Sequence, residues 1–168
     1  MKPFSEHSAT KGSIHDAMQL PLSQERESWP LTPAEQGILV EYQLEPESLA
    51  YNAGLAFELK GVVDVPLLEK SLDSMVQRHR ILRSYYSFKD GEFAHCIAPQ
   101  VKVRLTRVRC AYEEIRQKMD ERNVPFDIGE APLYRFVLYE TDKASILHIS
   151  FHHTILDGFS MAIFMDEL

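Results

Sequence analysis

Apolar and polar positions along the chain change period several times, and each change marks an expected element. Residues 1–29 carry no sustained period and are rich in Ser, Gln, Glu, Lys and His. Such a stretch is expected to be a flexible leader or a short docking segment. Thr32-Pro33 then opens a helix expected to run to about Leu44, with Thr32 as cap, Pro33 in the first turn and Glu35 near the positive end of the dipole. Leu55, Phe57 and Leu59 alternate with Ala56, Glu58 and Lys60, the period of a half-buried strand that Gly61 ends. Asp64 caps a second helix whose Val65, Leu68, Leu72, Met75 and Val76 share one face, which predicts packing against a sheet.

Asp90-Gly91 between two apolar runs, Tyr85 to Phe88 and Glu92 to His95, predicts a hairpin, because the tight turn demands positive φ. Val101, Val103 and Leu105 alternate with Lys102, Arg104 and Thr106 as a further strand, and Tyr112, Ile115 and Met119 group on a helix over about 111–122. Two apolar strands, 133–139 and 145–151, are joined through Thr141-Asp142-Lys143, and Ser160 is expected to cap a last helix with a Met161, Phe164, Met165, Leu168 stripe. Strands and helices intermix, and hairpins outnumber parallel crossovers. The expected fold class is therefore an α/β (α+β) sandwich with a mixed, largely antiparallel sheet flanked by helices. The last stripe is still running at Leu168, which reads as an engineered or split-gene boundary.

At 168 residues and 45% apolar content the chain can bury about two thirds of its unfolded surface as one domain. Its net charge of -7 is mixed in sign along the sequence, and Lys102, Arg104, Arg107 and Arg109 are interleaved with apolar residues rather than aromatic ones. Nucleic acid is not an expected partner. No apolar run reaches the length of a membrane span and the N-terminus lacks the order of a signal peptide, so no membrane partner and a cytoplasmic location are expected. Cys96 and Cys110 lack the close Cys/His spacing of a zinc site and are expected as free structural thiols.

The chemistry concentrates at the end, in Phe151-His152-His153-Thr154-Ile155-Leu156-Asp157-Gly158. Metal binding is disfavoured, because adjacent strand residues point to opposite faces and His152 and His153 cannot easily grip one ion. A plain structural account makes both histidines strand-end hydrogen-bonding groups and Asp157-Gly158 a turn. A catalytic account divides the work: one imidazole faces a cleft and handles a proton while the other fixes the strand end. Asp157 then serves as an ion-pair anchor near a helix N-terminus, and Gly158 allows close approach of substrate to a backbone N–H that can help hold an oxyanion.

With this cluster the chain resembles the condensation domains of nonribosomal peptide synthetases, and more broadly the chloramphenicol-acetyltransferase-like superfamily. The His-His-x-x-x-Asp-Gly signature is His152 to Gly158, followed by Ser160 as a substrate-side residue. Leu31-Thr32-Pro33-Ala34-Glu35-Gln36 with Tyr51-Asn52 resembles an opening motif. Arg78-His79-Arg80-Ile81-Leu82-Arg83 resembles an Arg-His-x-x-Leu-Arg motif, with Arg80 where an acidic residue is common. Pro125-Phe126-Asp127 and Pro132-Leu133-Tyr134-Arg135 match a further stretch.

The resemblance spans residues 31–168 and implies the N-terminal lobe of a two-lobed domain, with residues 30–168 as that lobe. It implies amide formation between a donor acyl thioester and an acceptor amine. His153 would carry the chemistry, His152 would orient it, and Arg78 and Arg83 would be structural or ion-pairing. The resemblance implies no directly bound cofactor. The phosphopantetheine arms of donor and acceptor peptidyl carrier proteins are substrates, and the C-terminal lobe and an adenylation domain are the other implied partners. The fragment alone is expected to be inactive. Two other functions fit less of the pattern: a noncatalytic docking or scaffold module for carrier proteins, and a related acyl-CoA-dependent acyltransferase.

Overall fold

The computed structural model of the chain describes residues 28–168. In chain order the elements are β1 (Ser28–Trp29), α1 (Pro33–Leu44), β2 (Asn52–Leu59), α2 (Val65–Arg78), β3 (Ser84–Lys89), β4 (Glu92–Ile97), β5 (Leu105–Arg109), α3 (Ile115–Asp120), β6 (Tyr134–Glu140), β7 (Ser145–His152) and α4 (Gly158–Glu167). Short 3-10 turns at Arg80–Arg83 and Tyr112–Glu114 lead into β3 and α3. No helix among the described residues is long and apolar enough to cross a membrane.

Among the described residues the strands form two sheets. β1, β4 and β3 make a small antiparallel sheet, and β2, β7, β6 and β5 make a larger one whose only parallel pair is β5 with β6. The leader or docking segment expected over residues 1–29 lies outside the described residues except for Ser28 and Trp29. Those two pair with Cys96 and His95 and extend the small sheet.

Helices pack on both faces of the β6–β7 pair, although one face of β7 carries His148, Ser150 and His152 beside Ile146. On one side Leu72, Met75 and Val76 of α2 and Met161 and Phe164 of α4 share a core with Phe136, Leu147, Ile149 and Phe151. On the other, Ile115 and Met119 of α3 pack on Val137, Tyr139 and Ile146. β2 is an edge strand, which is why Leu55, expected to be half-buried, is exposed. The strand expected from Val101 begins only at Leu105, where pairing with Phe136 of β6 starts, and Val101 is buried in irregular chain. The helix expected from Ala111 opens as a 3-10 turn and becomes α-helical at Ile115.

The hairpin turn carries φ of 54° at Asp90 and 86° at Gly91, both in the left-handed region. Gly91→Ala is expected to destabilise the chain by about 1 kcal/mol, because Cβ penalises that region. Gly37→Ala on α1, where a Cβ would meet nothing within 4 Å, should be neutral or stabilising. Urea unfolding of the two variants checks the contrast, and equal effects would contradict it.

Candidate active site

β7 delivers the two histidines with opposite fates. His152, its last residue, is buried, while His153 is exposed where the chain leaves the sheet. The exit is pinned on both sides: His152 N–H donates to Leu133 O at 2.9 Å and His153 N–H to Tyr51 O at 2.8 Å.

The His152 ring faces Phe126 edge-on, at 6.3 Å between centroids, and lies 6.2 Å from Tyr51. Phe126 is itself held, because Arg135 stacks over its ring at 3.7 Å and donates to the carbonyls of Val124 and Pro125. Pro125-Phe126-Asp127 is thus a loop clamped over the inner histidine. His152 Nδ1 accepts from the Thr154 backbone N–H at 3.4 Å and lies 2.9 Å from Thr154 Oγ1. A backbone N–H can only donate, so the neutral ring carries its proton on Nε2. Burial, with a smaller contribution from the neighbouring His153, pushes the His152 imidazole down to about 4. His152 is therefore a neutral ring at pH 7.

His153 opens into a cleft of about 650 Å³, whose apolar lining includes Trp29, Ile38, Ile81 and Ile97. Arg80 stands at this wall with its guanidinium 5.0 Å from the Trp29 ring centre. The volume falls within the range of small-molecule sites.

Beyond the histidines, Asp157 rather than Ser160 caps α4. Its Oδ1 accepts from Ser160 N–H at 2.8 Å and from Ser160 Oγ at 2.7 Å. The cap expected at Ser160 is displaced because the helix already begins at Gly158, which makes Asp157 the residue positioned to receive the third N–H. These bonds, with a minor contribution from His153, hold the Asp157 carboxyl below its ordinary range. Among the described residues no lysine or arginine pairs with it. A Cβ on Gly158 would meet nothing within 4 Å, and its φ lies outside the left-handed region, so neither packing nor backbone geometry in this chain requires glycine there.

The two arginines lie elsewhere. Arg83 makes no ion pair among the described residues and instead donates from Nη1 to Ala98 O at 3.0 Å and Pro99 O at 2.9 Å, tying the 3-10 turn to the end of β4. Arg78 pairs with Glu167 at 3.4 Å, and Glu167 also meets His79 Nε2 at 2.8 Å, which links α2 to α4. Cys96 and Cys110 are free thiols, and no group of three or more potential metal ligands occurs among the described residues.

Sequence reasoning missed a polar group at the wall of the cleft, where Thr32, Glu35 and His95 are among the lining residues. Glu35 Oε2 accepts from Thr32 N–H at 2.7 Å and Thr32 Oγ1 at 2.8 Å, and Glu35 Oε1 accepts from Tyr86 OH at 2.8 Å and lies 3.1 Å from His95 Nδ1. Ser84 Oγ is 2.7 Å from His95 Nε2. Burial alone would raise the Glu35 pKa, but the bonds from Thr32 and Tyr86 and the proximity of His95 together hold it below the ordinary carboxylate range. Burial also depresses His95, partly offset by Glu35. A charged Glu35 and a neutral His95 that donates from Nδ1 satisfy every contact.

Comparison with known proteins places this geometry in context. The family model described as "Condensation domain" matches residues 25–168. Surfactin synthase subunit 2 of Bacillus subtilis (strain 168) is 31% identical over 166 residues, covering 98% of this chain and 4% of that protein. Bacitracin synthase 3 of Bacillus licheniformis is 32% identical over 147 residues, covering 87% of this chain and 2% of that protein. The first condensation domain of the calcium-dependent antibiotic synthetase, solved with a substrate analogue, superposes with a TM-score of 0.77 at 22% identity over 83% of this chain and 36% of that one. The starter condensation domain of rhizomide synthetase gives 0.76 at 18% identity, with the same coverage of each chain. At those identities the structural likeness speaks for the fold. The chain spans a small fraction of its curated relatives and little more than a third of these solved chains.

Proposed function

The chain belongs to the condensation domain family of nonribosomal peptide synthetases, and from that premise we propose that residues 30–168 are the N-terminal lobe of a domain that forms amide bonds between carrier-bound substrates. The observation that carries the reading is the division of the histidine pair: a buried, neutral His152 behind an exposed His153 at a cleft of about 650 Å³.

In this reading the amine of an acceptor aminoacyl thioester attacks the carbonyl carbon of a donor acyl thioester. The C–N bond forms, the tetrahedral intermediate collapses with loss of the C–S bond, and the departing sulfur takes up the proton that the nitrogen loses. An α-amino group with pKa of about 7.7–8.0 is neutral in roughly one molecule in ten at pH 7, a penalty of about 1.4 kcal/mol. Full deprotonation is thus a small part of the barrier. His153 serves chiefly by hydrogen-bonding the attacking nitrogen and stabilising the charge that develops on it. Gly158 leaves room for a substrate or the opposing wall at the start of α4, which accounts for a glycine that this chain's own packing does not need.

The partners are donor and acceptor carrier proteins presenting phosphopantetheine arms, the C-terminal lobe and an adenylation domain, in the cytoplasm. Residues 1–168 alone should not condense loaded carriers, because in this reading the C-terminal lobe supplies the other wall of the cleft. Adding the second lobe in trans should give peptide transfer, read by mass spectrometry of the acceptor carrier. Turnover by the 168-residue chain alone, or none by a folded two-lobe complex, would contradict the reading.

A further inference from the structure

The polar group at the cleft wall converges on the backbone of the histidine turn. Thr154 follows His153 directly and is buried, and its hydroxyl is engaged with His152. Its carbonyl lies 3.3 Å from the hydroxyl of Tyr86, a β3 residue that is only 1% exposed. The same hydroxyl lies 2.8 Å from Glu35 Oε1 on α1. Across the hairpin His95 stands opposite Tyr86 in register, 5.2 Å between ring centroids, and meets the same carboxylate oxygen while Ser84 holds its far nitrogen. Three separate elements, α1, β3 and β4, therefore meet at one point beside the residue that follows His153.

A buried carboxylate and phenol with a half-buried imidazole are not needed to fill a core, since apolar residues of similar volume commonly do so at equal or lower cost. A fully bonded polar cluster does something apolar packing cannot: it holds chosen atoms at chosen separations. The atom held here is Thr154 O, one residue beyond the exposed imidazole. His153 is anchored from before by its N–H on Tyr51 O, and the turn beyond it is closed on His152 by Ile155 N–H at 3.1 Å and by Thr154, while the Thr154 carbonyl meets the Tyr86 hydroxyl on the far side.

We infer that Tyr86 is a positioning residue for His153, braced by Glu35, and that its hydroxyl sets where the histidine turn stands in the cleft. This rests on the reading of His153 as the group that meets substrate. Tyr86 touches no substrate itself. Its single proton is shared unequally between Glu35 Oε1 and the more distant Thr154 O, so loss of the carboxylate charge also shifts the balance at the turn.

Tyr86→Phe removes one hydroxyl and keeps the buried ring. In the 168-residue chain, NMR of the variant should show a changed Thr154 carbonyl shift and changed His153 ring resonances, with the His153 backbone amide little altered. In a complete condensation domain kcat should fall roughly tenfold, within the hundredfold that a 1 Å misplacement can cost, with KM for both carriers unchanged. Glu35→Gln should move the same resonances and lower kcat less. Unmoved His153 resonances, or an undiminished kcat in a folded Tyr86→Phe domain whose parent condenses normally, would overturn the inference and leave the functional reading standing. A parent domain that fails to condense would overturn the functional reading instead.

Discussion

His153→Ala in a complete condensation domain is expected to lower single-turnover peptide transfer by about a hundredfold or more, the scale of a positioned acid–base or hydrogen-bonding group. Affinity for loaded carriers should be unchanged, because the exposed imidazole sits at the cleft and not in the packed core. Folding should also be unchanged, since the exposed His153 ring lies at the cleft and its ring contact among the described residues is an edge contact with Phe151, at 5.7 Å between ring centroids. Rapid-quench measurement of acyl transfer between pre-loaded carriers separates chemistry from carrier exchange. Because amine deprotonation at pH 7 is a penalty of only about 1.4 kcal/mol, raising the pH should restore little of the lost rate if His153 acts by orientation and charge stabilisation. Full recovery at pH 9 would make it a simple base, and near wild-type transfer at pH 7 would remove it from the chemistry.

How far the sequence anticipates this site depends on the range of the interaction involved. Thr32, Pro33 and Glu35 make a capping box with a proline in the first turn, a local pattern that needs no tertiary knowledge, and α1 begins at the expected residue. The two-residue Asp90-Gly91 turn sets the whole register of β3 on β4, from Lys89 opposite Glu92 back to Tyr86 opposite His95. That arithmetic was available from the sequence, and it puts a phenol and an imidazole side by side. The missing piece was α1, since nothing local shows that the free oxygen of a capping glutamate turns inward to meet them.

The same limit explains the other differences. Ser28 and Trp29 are a strand only because β4 offers an edge, and Val101 is buried without pairing because β6 meets the chain only from Leu105. Ser160 and Asp157 are both good caps by composition, and the tertiary path out of β7 decides between them. The opposite faces of His152 and His153 follow from strand geometry. That His152 is the inner one depends on Phe126 and Tyr51 arriving from distant chain.

The inner histidine should also govern the acid stability of the fold. In the unfolded chain His152 takes up a proton near the ordinary imidazole value of 6.5, whereas burial holds the folded ring neutral down to about 4. Between those values the unfolded state binds more protons, so its contribution to stability is complete above pH 6.5 and is lost as the pH falls toward 4. The full loss is roughly 3 kcal/mol. His95 and His148, also depressed by burial, act in the same direction, so the wild-type curve should be steep over this window. His152→Gln keeps an acceptor for Thr154 but cannot titrate. The variant should be less stable at pH 7, where it loses the contacts with Phe126 and Tyr51, and its curve should be distinctly shallower, so that the two converge toward pH 4. Urea unfolding of the 168-residue chain at half-unit pH steps reads both slopes, and parallel curves would show that the ring is not kept neutral by its burial. The requirement bears on function as well. A proton on Nδ1 would face the Thr154 N–H 3.4 Å away, so charging His152 would loosen the turn that carries His153, and acid should remove the organised site before or together with the fold.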